Sequence, residues 1–350
     1  MTTRKMTAHT LLPRRQNGYA RTSNSDQDLS SQTNTVWKSD CPVYRLFVAA
    51  LVILAACTTT PSWAQEAPGF YLGSGLGANF APAVNLAGKD NDHSMGSGCD
   101  EFINPNATQY DFCNLGNRGD SWNNRFDGAA GILANAVVGY RLRNRLRLEV
   151  EYFYRDSEYD QTDPVLGGGG SIADKLAAEL QRAELRVGSI TSHNLFGNFY
   201  FDFPNRSRFT PYIGLGIGGG FADMDFGALW ARNLNPAHIT SVEGKFSEDD
   251  TEAIQSRLAG TTTSAQTELN DTLLGFQVLL GVNRALTDAV SLDVRGRWTN
   301  FSSFHDSDSY ERLRSHESNL RVDGSAPVEY QQSTDDTELF GINVAIRYQF

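Results

Sequence analysis

The sequence predicts an all-β protein: an eight-stranded antiparallel transmembrane β-barrel with four long external loops. Three observations carry this. Segments of about ten residues or more alternate between apolar and polar side chains, the period of a strand with one greasy face. The connections between them alternate between tight turns and long loops, and the number of strands is even. The chain also finishes on such a segment, GINVAIRYQF, in which Ile342, Val344, Ile346, Tyr348 and Phe350 share one side and Asn343, Ala345, Arg347 and Gln349 the other.

In chain order the strands are expected over 69–80, 127–141, 145–156, 189–203, 208–222, 271–286, 289–303 and 336–350. The clearest is RLRLEVEYFYRD, where Leu146, Leu148, Val150, Tyr152 and Tyr154 face away from Arg145, Arg147, Glu149, Glu151, Phe153 and Arg155. HNLFGNFYFDF sets Leu195, Phe199, Phe201 and Phe203 against Asn194, Asn198, Tyr200 and Asp202. TPYIGLGIGGGF sets Pro211, Ile213, Leu215, Ile217 and Phe221 against Tyr212 and a row of glycines. VSLDVRGRW sets Val290, Leu292, Val294 and Trp298 against Ser291, Asp293, Arg295 and Arg297. Residues 142–144, 204–207 and 287–288 are expected as tight turns, and 81–126, 157–188, 223–270 and 304–335 as long loops.

Lipid offers no hydrogen bonds to a backbone, so a sheet in a membrane must close, and the last strand must pair with the first, GFYLGSGLGANF. Tyr348 and Phe350 are then expected in an aromatic girdle at the periplasmic interface, with Tyr152, Tyr154 and Trp298 in the opposite girdle. A secreted β-sandwich with one wet face is the competing fold. Its outward positions would not carry such unbroken apolar sets.

The organisation before the barrel follows from composition. Residues 1–43 are polar and rich in Ser, Thr and Gln, and read as a disordered leader or an over-extended start. Residues 44–64 read as a signal peptide: Arg45, an apolar run from Leu46 to Ala56, then Ser62-Trp63-Ala64 as a small-x-small cleavage site. The run is too short for a transmembrane helix, which needs about 20 apolar residues. Leu54-Ala55-Ala56-Cys57 is a competing lipobox, and Arg14-Arg15 lies too far upstream for a twin-arginine signal. Residues 65–350 are left as the outer-membrane barrel.

With seven basic and three acidic residues before position 65, the remainder holds 23 basic against 38 acidic residues, a net charge near −15. That balance argues against nucleic acid as a partner. Cys99 and Cys113 are the two cysteines left after the leader, and an even pair in an exported chain reads as a disulfide.

The sequence resembles the eight-stranded outer-membrane barrels of the opacity-protein and major-surface-antigen type, related in architecture to the barrel of outer-membrane protein A. The matching stretches are GFYLGSGLG (69–77), NFYFDF (198–203), TPYIGLGIG (210–218) and the terminal Tyr348-x-Phe350, and the resemblance covers residues 67–350. It implies the outer membrane of a Gram-negative bacterium, and it implies that Tyr348 and Phe350 are the signal read by the barrel assembly machinery. The long loops and the leader depart from the family, so the fold transfers better than any ligand.

Seven charged residues fall on lumen faces: Arg147, Glu149, Glu151, Asp293, Arg295, Arg297 and Arg347. An eight-stranded barrel is just wide enough to be filled by side chains, so these charges are expected to pair and plug it. A gated ion or proton path is the alternative. Glu149 and Glu151 could suggest paired catalytic carboxylates, but their arginine neighbours favour ion pairing. The glycines at 73, 75, 77, 214, 216, 218, 219 and 220 lack the strand-turn-helix setting of a phosphate loop, and are expected to make room for bulky lumen residues such as Tyr200 and Arg295.

Four loop motifs remain. His316-Glu317-Ser318-Asn319, with Glu329 beyond, resembles the catalytic stretch of lipid A deacylases, though it lies in an expected loop. Arg118-Gly119-Asp120-Ser121 is an adhesion tripeptide in the first external loop. DNDHSMGSGCDE (90–101) is acidic, but Gly96 falls one place late for a calcium loop. SIADKLAAELQRAEL (171–185) has near-helical spacing of leucines and is expected as a short helix at the barrel mouth.

The expectation is therefore a non-enzymatic surface barrel without a cofactor or metal, with a structural, adhesive or surface-contact role. Its partners would be outer-membrane lipid, the assembly machinery and, through the loops, a host or neighbouring-cell surface. A small porin-like channel and a lipid A deacylase are the alternatives.

Overall fold

The computed structural model describes residues 68–91, 97–114, 121–142, 145–164, 166–167, 179–205, 207–313 and 328–350. Residues 1–43 and 44–64, expected as leader and signal peptide, with Cys57, and Arg118-Gly119-Asp120 and His316 to Asn319 lie outside the described residues.

Eleven strand segments form one antiparallel sheet: β1 (Gly69–Ala81), β2 (Val84–Asp90), β3 (Ser121–Phe126), β4 (Ala129–Arg141), β5 (Leu146–Pro164), β6 (Leu166–Gly167), β7 (Leu180–Asp202), β8 (Phe209–Arg232), β9 (Thr262–Ala285), β10 (Val290–Ser309) and β11 (Glu329–Gln349). Eight of them close a ring in the order β1, β4, β5, β7, β8, β9, β10, β11, with β1 pairing back to β11. The other three continue ring strands across short interruptions. Phe80 faces Phe340 below the break at Pro82-Ala83, and Leu86 faces Thr334 above it, so β2 carries on β1 without a change of register. Likewise Ala81 faces Ala129 and Val84 faces Phe126, making β3 and β4 one stave. The eight staves foreseen from the sequence are present, and all eight are antiparallel to their neighbours.

The expected outer limits of the strands are wrong. β8 and β9 each run 24 residues, and β7 runs 23, so much of the predicted long loops 157–188 and 223–270 is strand. Of residues 171–185, predicted as a short helix, 171–178 lie outside the described residues and Leu180 to Leu185 form the start of strand β7. The reason is an inversion of faces along each stave. On β9 the outward residues Leu274, Phe276, Val278, Leu280 and Val282 are apolar, while Thr272, Asn270, Glu268 and Gln266 beyond them are polar. The nine residues from Leu274 to Val282 rise about 30 Å along a strand, or roughly 23 Å at a tilt near 40°, the height of a lipid-facing band. Above that band the outside meets water, so the inside becomes apolar: Leu269, Leu273, Leu185, Phe226, Phe301 and Tyr330 belong to one buried cluster.

One seam departs from regular pairing. The β9–β10 ladder stops at Phe301 opposite Gly275 and resumes as a bridge between Ser264 and Arg312. In the interval carboxylates cap the amides: Asp306 accepts from the Asn270 N–H at 2.7 Å and Asp271 from the His305 N–H at 2.8 Å. Water can reach this part of the wall, which is why side chains can replace ladder bonds there.

Above the barrel, residues 97–114 pack on residues 233–261. Helix α1 (Glu248–Leu258) is capped by Ser247, whose hydroxyl accepts from the Asp250 N–H. Its buried Ile254 and Leu258 join Ile103, Ile239 and Val242 in a small second core. Cys99 and Cys113 are bonded, with Cα atoms 5.2 Å apart, and clamp the segment of short 3-10 turns on either side of Ile103. Among the described residues, no helix is long and apolar enough to cross a membrane.

Candidate functional site

The lumen between the girdles is where charged side chains converge. It is built by the strand period: inward positions on β5, β10 and β11 place Arg147, Glu149, Glu151, Asp293, Arg295, Arg297 and Arg347 together, and all seven are buried. Arg295 lies between the two glutamates, 3.0 Å from Glu149 and 2.9 Å from Glu151. Arg297 also contacts Glu151, and its guanidinium lies 4.2 Å from the Phe153 ring centroid. Arg347 pairs with Asp293 at 3.0 Å and stands 3.6 Å from Glu149.

Sequence grouping missed the partner of Arg147. It is Asp202, at the end of β7, 2.8 Å away. Asp202 was legible as a polar-face residue of its strand, but no local pattern links it to a residue 55 positions earlier. With it the network holds four arginines and four carboxylates, which balances the charge that burial would otherwise penalise by several kcal/mol per ion.

Neutral groups complete the network. The Tyr71 and Tyr200 hydroxyls donate to Glu149 at 2.9 and 2.7 Å, and Tyr212 donates to Asp293 at 3.0 Å. Asn135 and Asn198 donate to Glu151 at 2.9 and 3.1 Å. The Arg147 guanidinium sits between the Tyr200 and Tyr212 rings, 4.6 Å from each centroid. Each of these tyrosines lies across a glycine directly opposite on the next strand: Tyr71 on Gly139, Tyr200 on Gly214, Tyr212 on Gly281. A Cβ at any of the three would meet ring atoms at 2.1 to 2.4 Å. The glycines therefore make room for lumen tyrosines, including Tyr200 as expected; Arg295 is not the group that fills such a space.

Ion pairing occupies Glu149 and Glu151, leaving neither with the free, solvent-reaching geometry of a general acid or base. Among the described residues, no group of three or more His, Cys, Asp or Glu side chains is placed to hold a metal ion. Glu329 starts β11, where its N–H donates to Asn91 Oδ1.

On the outward face Tyr152 and Tyr154 pack on His193, the Tyr152 hydroxyl 2.7 Å from His193 Nδ1, while Trp298 packs edge to face on Phe276. At the other end Tyr348 and Phe350 stack edge to face at 5.1 Å, and the Phe350 N–H donates to the Phe70 carbonyl at 3.0 Å.

No family model matches the chain, and no curated protein matches it. Solved structures do. Neisserial surface protein A shares 14% identity over 81% of this chain and 97% of its own, with a TM-score of 0.36. OprG, an outer-membrane protein of Pseudomonas aeruginosa, shares 10% over 81% and 97%, also at 0.36. Ail, the attachment invasion locus protein of Yersinia pestis, shares 9% over 80% and 99%, at 0.26. Scores this low carry no argument about activity, and the fold stands on the strand pairings themselves. A ring of eight antiparallel staves, apolar outside over a bilayer's height and polar within, is the architecture of Gram-negative outer-membrane barrels.

Proposed function

We propose that this chain is a non-enzymatic, non-conducting surface barrel whose role is structural and adhesive. The lumen is filled twice in succession, and that is the observation supporting this reading. An ion-paired layer around Glu149, Glu151 and Arg295 occupies the membrane section. An apolar core around Phe226, Phe301 and Tyr330 occupies the shaft above it. A solute would have to break buried ion pairs and then displace packed side chains. What the architecture offers instead is a tall, acidic exterior shaft and a disulfide-clamped cap, held out from the bilayer toward a host or neighbouring cell.

The test is single-channel recording of the purified barrel in planar bilayers, together with lipid A mass analysis of a deletion strain. No stable large openings and unchanged lipid A are expected. Steady conductance would promote the small-channel reading, and altered acylation would promote the deacylase.

A further inference from the structure

We propose that the periplasmic end of the barrel carries a binding site for an anionic phospholipid of the inner-facing leaflet. The inference rests on the barrel's placement in the outer membrane, and two separate features of the wall converge on it.

The first is an arc of arginines. Arg145 precedes β5, Arg208 precedes β8 and Arg284 lies near the end of β9, and all three are exposed. Backbone bonds tie the arc together: the Asp202 N–H donates to the Arg145 carbonyl at 2.8 Å, and the Ala285 N–H to the Arg208 carbonyl at 3.0 Å. Arg284 stands directly opposite Phe209, its guanidinium 5.3 Å from the ring centroid, the pose of a basic side chain at a headgroup boundary. Arg145 holds φ at 75°, a conformation that glycine or asparagine would adopt more easily than a longer L side chain. Among the described residues, none of the three arginines has a carboxylate partner; on this rim Asp202 is buried against Arg147, and Asp288 is exposed.

The second feature is an apolar furrow of about 680 Å³ on the lipid face, lined by Val138, Leu148, Val150, Phe199, Leu215 and Ile217. Its floor is Gly197, which stands between Val150 and Ile217 in the cross-strand row and leaves the space a side chain would fill. Elsewhere the outward row is continuous: Tyr140, Leu148, Phe199 and Leu215 face one another across four strands. The furrow's lining on β7 ends at Phe199; from Gly197 to Phe203 at the rim β7 advances about 20 Å, or roughly 15 Å of depth at a 40° tilt, so the furrow lies inward of the edge, with Phe201 and Phe203 between. That depth is the reach of one acyl chain of the periplasmic leaflet. Arg145 and, across β7, Arg208 lie at the rim beyond Phe203. An acyl chain whose end lies in the furrow and which runs over Phe201 and Phe203 to the rim thus brings a headgroup phosphate to the arginines, and the net positive rim selects an anionic headgroup over a zwitterionic one.

The experiment uses the purified full-length protein in nanodiscs of equal phosphatidylglycerol and phosphatidylcholine, released into mild detergent, with retained lipids counted by native mass spectrometry. Wild type should retain phosphatidylglycerol over phosphatidylcholine by about fivefold or more, the preference expected when one basic side chain engages an anionic surface. The Arg145→Gln/Arg208→Gln/Arg284→Gln variant should lose the preference, and Gly197→Leu should retain less of both lipids. A heat-modifiable wild-type barrel that retains the two lipids equally overturns the inference whatever the variants do. So does an unchanged preference in the triple variant. A protein that yields no heat-modifiable barrel in nanodiscs overturns the membrane-barrel reading along with it.

Discussion

Replacing Glu151 by Ala should destabilise the barrel far more than replacing Glu151 and Arg297 together. Glu151 is fully buried and accepts from Arg295 at 2.9 Å, from Arg297, from Asn135 at 2.9 Å and from Asn198 at 3.1 Å. Without it Arg295 still has Glu149 at 3.0 Å and Asp293 at 3.6 Å. Arg297 has no second carboxylate among the described residues; Gln277 Oε1 at 3.4 Å and the Phe153 ring remain. The single variant therefore leaves one uncompensated buried cation, a loss of about 3–5 kcal/mol. In Glu151→Leu/Arg297→Met both charges leave and apolar volume replaces them, so the cost should fall to about 1 kcal/mol or become a gain. Urea titration of the barrel refolded into phosphatidylcholine vesicles, followed by tryptophan emission and by heat-modifiable mobility, measures both. A single variant within about 1 kcal/mol of wild type, or a double variant costing as much as the sum of its parts, would show that the lumen charges are not held by pairing.

Changing Phe350 to Ser should sharply lower barrel levels in the outer membrane while leaving refolding into vesicles near normal, because an exposed girdle ring contributes little stability compared with its proposed role as assembly signal; normal cellular levels would refute that role. Replacing both Cys99 and Cys113 by Ser should increase protease nicking within residues 97–114 and leave the barrel intact, since a closed loop of about 15 residues is worth roughly 3 kcal/mol of local order. The cap should also loosen in acid. Hydrogen bonds from Tyr110, and then from Asn106 and Ser247, hold the Asp250 carboxyl below the usual aspartate range. A depressed value stabilises the fold above the ordinary aspartate range, and that stability is lost as pH falls through the lowered value. Hydrogen exchange in α1 should rise on acidification in wild type and show a flatter pH response in Asp250→Asn.

The eight staves, their antiparallel order and the lipid-facing residues were legible in the sequence because lipid imposes a strict rule. Every second residue from Leu146 to Tyr154, or from Ile342 to Phe350, must be apolar, and that is a local pattern. The polarity of Arg147, Glu149, Glu151, Asp293, Arg295, Arg297 and Arg347 was readable for the same reason. Where the rule stops, legibility stopped with it. Beyond Thr272 on β9 the outside turns polar and the inside apolar, so alternation persists but its meaning reverses, and the shaft passed for loop. The leucines that suggested a helix at 171–185 include Leu180 and Leu185, which the sheet recruits into its core because β8 supplies their backbone partners. Pairing was decided only by closure of the ring. Arg147 finds Asp202, and Tyr71, Tyr200 and Tyr212 find glycines on adjoining strands, because stagger and curvature bring together residues that no spacing along the chain connects.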